Sequence, residues 1–140
     1  MVGLGAGARS YSAKLHYSTE YAVGRAGVLD VIGDFTRRTD EQFSVADYGC
    51  ELELDEQKRR YVLKSLLRCD GLDLSEYRAH FQTDVFEDFS QLNELFDHGL
   101  TGRAVGRLSL NEQGLEFSDV IGTWLSSPVV RERMSEFALR

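Results

Sequence analysis

Apolar positions recur at helical spacing along most of the chain, and the breaks in that spacing mark its elements. The stretch "AGVLDVIGDFTRR" sets Val28, Leu29, Ile32 and Phe35 on one stripe, with Arg37 and Arg38 where cations complement a helix C-terminus. In "DEQKRRYVLKSLLRC", Asp55 is placed as a cap, Val62, Leu63, Leu66 and Leu67 share a face, and Gly71 follows as a stop. The shorter "DLSEYRAHF" pairs Asp73 with Glu76 as a capping box ahead of Leu74, Tyr77 and Phe81. Thr83 precedes a long stripe, Val85, Phe86, Phe89, Leu92, Leu95 and Phe96, which Gly99 ends. Beyond Gly99 the period drops to two: "GRLSL" alternates, and glycines at 99, 102 and 106 suit a hairpin or wing. Asn111 then caps a helix expected to bury Leu115, Ile121, Trp124 and Leu125, and Pro128 behind Ser127 opens a last one.

The order helix, short helix, helix, hairpin, helix predicts a mainly α fold, a winged-helix-like bundle with a small β-hairpin. Residues 1–24 differ in texture: they are rich in glycine, serine and tyrosine and lack a sustained helical period. With 140 residues the chain is long enough for one ordinary core, and it contains no internal repeat.

Charge decides what such a bundle can bind. The net charge is −7, and the acid is concentrated beyond residue 40, where nineteen acidic side chains face eleven basic ones. The helix that a helix-turn-helix protein would lay in the DNA groove carries Asp84, Glu87, Asp88, Glu94 and Asp97, with no lysine or arginine. Phosphate neutralisation supplies most of the affinity in such complexes, so nucleic acid is not an expected partner. No apolar run approaches the ~20 residues of a membrane helix, no leader pattern opens the chain, and a cytoplasmic location is expected. His16, His80 and His98 are far apart, Cys50 and Cys69 form no metal-ligand spacing, and reduced, unpaired thiols are expected. No G-x-S-x-G motif is present.

The opening "MVGLGAGARSYS" fits G-x-G-x-x-A at Gly3, Gly5 and Ala8. A dinucleotide fingerprint needs a strand before the glycines and a helix at once after them. Two residues precede Gly3, and the polar, β-leaning "RSYSAKLHYST" follows Ala8, so both flanks are missing. Glycines spaced this way also let a backbone pass close to a neighbour. "VGLG" is accordingly expected to end a buried strand, with the chain starting in mid-structure.

Taken together, "VGLGAGARSYS", "LDEQKRRYVLKSLLRCDGLDLSEY" and "LFDHGL…GRLSLNEQGL" resemble the C-terminal part of radical S-adenosylmethionine proteins of the oxygen-independent coproporphyrinogen III oxidase-like family, which includes haem chaperones. The resemblance covers nearly the whole chain. It implies a barrel-end glycine segment over 1–24, a helical linker over 25–54 and a winged-helix-like accessory domain over 55–140. The β/loop remnant of a barrel would thus precede the bundle. The resemblance also implies that Gly5, Gly7, Ala8 and Arg9 lie close to bound S-adenosylmethionine. Arg9 stands where those oxidases carry a bulky apolar residue, so its guanidinium faces either the cofactor or a substrate carboxylate.

In that family the [4Fe–4S] cluster is held upstream, by a C-x-x-x-C-x-x-C loop. Two scattered cysteines neither match that spacing nor reach three thiolates, so this chain is expected to carry no cofactor and no catalysis alone. Its expected partners are a preceding barrel domain and, in the intact protein, a porphyrin-like substrate. The competing expectation is a free-standing acidic module that binds a protein through an exposed apolar patch.

Overall fold

A computed structural model describes residues 1–20 and 22–136, the side chain of residue 103 excepted. Residue 21, in the expected glycine segment, and residues 137–140, at the end of the expected accessory domain, lie outside the described ones. The fold is mainly helical, with two three-stranded antiparallel sheets. The chain divides into two compact units: Met1–Gln57 with the stretch from Arg133 onward, and Lys58–Glu132. The expected segments 1–24 and 25–54 therefore fall in one unit.

The first unit is organised by short strands. β1 (Ser10–Tyr11) and β2 (Leu15–Tyr17) form a tight hairpin whose turn is closed by Ser12, with Tyr11 opposite His16. These two rings stack at 4.3 Å. α1 (Arg25–Arg37) and α2 (Asp40–Phe43) follow. Thr39 and Gln42 form a reciprocal capping box at the start of α2, and Phe35 meets Phe43 edge to face at 5.2 Å. β3 (Gly49–Glu51) then returns to β2, with His16 opposite Cys50. The expected linker thus supplies the third strand of the sheet, in the order β1-β2-β3.

One expectation fails in this unit. Residues 1–4 form no strand, and Val2 and Leu4 are 72% and 93% exposed, so "VGLG" is not a buried strand end here. Met1 is tied to β1 by a reciprocal pair of backbone bonds with Tyr11, at 2.8 and 2.9 Å. The α1 stripe is likewise open: Leu29 and Ile32 are 58% and 43% exposed, and no residue of α1 is buried.

The second unit holds the core. In α3 (Leu54–Leu66), Lys58, Val62 and Leu66 lie four residues apart and are buried together. Leu67, expected on that face, lies past the helix end and is exposed. β4 (Leu72–Asp73) leads directly into α4 (Leu74–Phe81), where Asp73 caps the helix by accepting from the Ser75 and Glu76 amides.

The expected single helix after Thr83 is broken into α5 (Val85–Asp88), a 3-10 turn (Ser90–Leu92) and α6 (Asn93–Asp97). Phe89 leaves helical dihedrals at the break, with φ −134° and ψ 71°, and buries its ring in the core. Thr83 does not cap; Asp84 does, accepting from the Phe86 amide at 2.9 Å.

β5 (Thr101–Ala104) and β6 (Arg107–Leu110) form the expected hairpin. β4 joins its β6 edge, Leu72 opposite Leu108, which sets the order β4-β6-β5. Asn111 caps α7 (Glu112–Glu116), and Phe117 separates it from α8 (Ser118–Trp124). A Cβ on Gly114 would run into the Leu100 carbonyl, so only glycine lets α7 approach the hairpin this closely. The extra turn faces Leu115 outward at 43% exposure, while Ile121 and Leu125 are buried as expected. α9 (Pro128–Glu136) opens behind Ser127, whose hydroxyl accepts from the Val130 amide. All buried apolar side chains among the described residues belong to this unit, from Val62 to Leu125.

Candidate functional site

The glycine segment precedes β1 as a tight turn. Gly5 and Gly7 have φ of 102° and 76°, a region that side-chain-bearing residues rarely enter. The Ala8 amide donates to the Gly5 carbonyl, Gly7 to the Thr19 hydroxyl at 2.7 Å, and Gly3 to the Ser10 hydroxyl at 3.0 Å. Gly5, Gly7, Ala8 and Arg9 are thus brought together in one turn, but the amides of Gly3, Gly7 and Ala8 are spent inside the chain. A phosphate cradle needs such groups free and converging. Arg9 is exposed and makes no ion pair among the described residues, so its guanidinium is available for recognition.

The cluster chemistry that the resemblance would bring does not fit this chain. Its two cysteines stand nineteen positions apart, Cys50 in β3 and Cys69 after α3, where three thiolates would have to converge on one cluster. No step through an iron–sulfur group is assigned to these residues.

A charged cluster lies inside the second unit, and motif spacing gave no sign of it. Lys58 Nζ donates to Asp88 Oδ1 at 2.7 Å and to Thr83 Oγ1 at 3.0 Å. Asp88 Oδ2 accepts from the Tyr77 hydroxyl at 2.7 Å and from the Thr83 hydroxyl at 2.6 Å. The ammonium and carboxylate side chains retain 10% and 17% of their exposure, so each needs the other. Burial pushes the Asp88 carboxyl upward, but hydrogen bonds from Lys58, Thr83 and Tyr77 outweigh it and hold the group below the usual carboxylate range. The result is a brace across α3, α4 and α5 in which the Asp88 carboxylate is ionised at neutral pH. One signal was available in the sequence: Lys58 stands one turn before Val62 and two before Leu66, so it falls on the buried face.

The other displaced carboxyls are helix caps. Asp84 is held low first by the Phe86 amide and then by Arg78, and Asp73 first by the Ser75 hydroxyl. Neither is raised toward neutral pH, where a general acid works. No three His, Cys, Asp or Glu side chains are grouped to hold a metal ion among the described residues, and no described helix is long and apolar enough to cross a membrane. No family model, curated protein or solved structure matches the chain.

Proposed function

We propose that the chain is the C-terminal accessory part of a radical S-adenosylmethionine protein of the coproporphyrinogen III oxidase-like type, covering the active site and positioning substrate without catalysing alone. The observation that carries the reading is the contrast between the units. Lys58–Glu132 has its own core, whereas no apolar side chain of Met1–Gln57 is buried among the described residues. A thirteen-residue helix such as α1 owes most of its stability to a packed apolar face. Val28, Leu29 and Ile32 therefore call for another body to cover them, the role that the resemblance gives to the barrel.

The second unit supports the accessory-domain half of the reading. The order helix, strand, helix, helical segment and hairpin, with the first strand paired to the hairpin, is compatible with a winged-helix arrangement and supports the reading. Its acidic third helical segment suits a protein or substrate cover better than a DNA reader. In this reading Arg9 supplies a cation at the barrel end, beside cofactor or substrate carboxylate.

The test is to express the chain alone and joined to a barrel domain that carries the C-x-x-x-C-x-x-C loop, and to follow amide exchange. Slow exchange in α1 only in the joined protein is the expected result. Equal protection of α1 in both would refute the reading, as would a stable iron–sulfur chromophore formed on the chain alone by anaerobic reconstitution.

A further inference from the structure

Within the second unit, residues of α6 and α8 border an apolar groove of about 420 Å³. Leu95, Leu100 and Ile121 form its floor; Phe117, Val120 and Trp124 form its wall. The wall stands in solvent, with Phe117 and Val120 46% and 63% exposed. Val120 and Trp124 also line a shallower depression that continues past Asp119 to Arg131, so the apolar strip is longer than the groove itself.

The groove's own polar lining is Glu94, His98 and Gln113, with Glu94 its one carboxylate. The three helices that line the groove, α6, α7 and α8, carry Glu94, Asp97, Glu112, Glu116 and Asp119 and no lysine or arginine. Arg131 enters only at the far end of the continuation. An apolar trough lined by Glu94 and carried on helices without lysine or arginine is complementary to a helix that presents apolar anchors at i, i+3/i+4 and i+7 with lysine or arginine beside them.

The geometry points to this groove as the docking site for a basic amphipathic helix of a partner protein. The site stands on the second unit alone and is independent of what covers the first.

Trp124 makes the test direct, because it is the chain's one tryptophan and lines the groove. The full chain is titrated at low salt with a synthetic leucine–lysine helix lacking tryptophan, and with a leucine–glutamate helix of the same apolar pattern. The expected result is a saturable change in Trp124 emission with the first peptide and binding at least about tenfold weaker with the second. Val120→Lys should weaken the leucine–lysine complex about tenfold, while Val129→Lys, the same charge change on an exposed position of α9 outside the groove, should leave it intact. Circular dichroism checks that both variants are folded. A flat titration, equal binding of the two peptides, or equal weakening by the two variants would overturn the proposal. So would an emission change on diluting the chain alone, which would assign the groove to a second copy.

Discussion

Replacing Lys58 by methionine keeps the length and apolar stem of the side chain and deletes only its charge. Two hydrogen bonds go with it, to Asp88 at 2.7 Å and Thr83 at 3.0 Å. Asp88 is then a nearly buried carboxylate with two hydroxyl donors left. Stranding a fully buried ion costs about 3–5 kcal/mol. The remaining donors and the 17% exposure of Asp88 bring the expected loss to about 2–3 kcal/mol. Asp88→Asn should cost about 2 kcal/mol for the converse reason, and the double variant should fall short of the sum by about 1 kcal/mol or more.

The assay is urea unfolding at pH 7, followed by Trp124 emission, which reports on the same unit. Because the folded carboxyl of Asp88 lies below its unfolded value, its contribution is complete above about pH 4 and is lost as pH falls through the lower folded value. Removing Lys58 raises the folded Asp88 carboxyl relative to the parent, so the gap between the parent chain and Lys58→Met should narrow as the pH is lowered through the range in which the variant's carboxyl takes up its proton. A Lys58→Met variant within about 0.5 kcal/mol of the parent, or additive single changes, would refute the brace.

Three further outcomes are expected from the same unfolding measurements. Gly114→Ala should cost more than about 2 kcal/mol because its Cβ meets the Leu100 carbonyl, whereas Gly102→Ala, with open space around it, should stay within about 0.5 kcal/mol. Ile121→Ala should cost about 2–4 kcal/mol and Leu115→Ser less than about 0.5, reversing the equal burial that helical spacing suggests. Ser127→Ala, which removes the acceptor of the Val130 amide, should cost about 1 kcal/mol.

What could be read from the sequence followed the reach of each signal. Local chemistry was legible: Asp73 and Asn111 cap where expected, Gly99 takes positive φ at 67°, Pro128 opens α9, and the hairpin turns at Gly106. Periodicity misled where tertiary packing broke it. Phe89 and Phe117 interrupt what read as single helices, because sinking one ring and turning the chain at the other outweighed continuous hydrogen bonding. β4 is two residues long and acquires its identity only from Leu108 across the sheet, so no local pattern marks it. A stripe on α1 shows that a face is apolar and says nothing about what meets it. The groove escaped notice because Phe117 and Val120 fall outside the assumed helix register.

Arg59, near the beginning of the second unit, donates to the Leu125 carbonyl at 2.9 Å and lies 4.8 Å over the Phe89 ring. Its first helix is therefore clasped to the end of α8, while the β4-β6 and β5-β6 ladders cross the middle. Val105 in the bend between the strands is fully exposed and outside these ties, and beside it the Gly106 carbonyl accepts from the Leu74 amide at 3.0 Å. A peptide bond severed there would yield two halves that remain mated, and the nicked body should migrate as one until denaturant parts it.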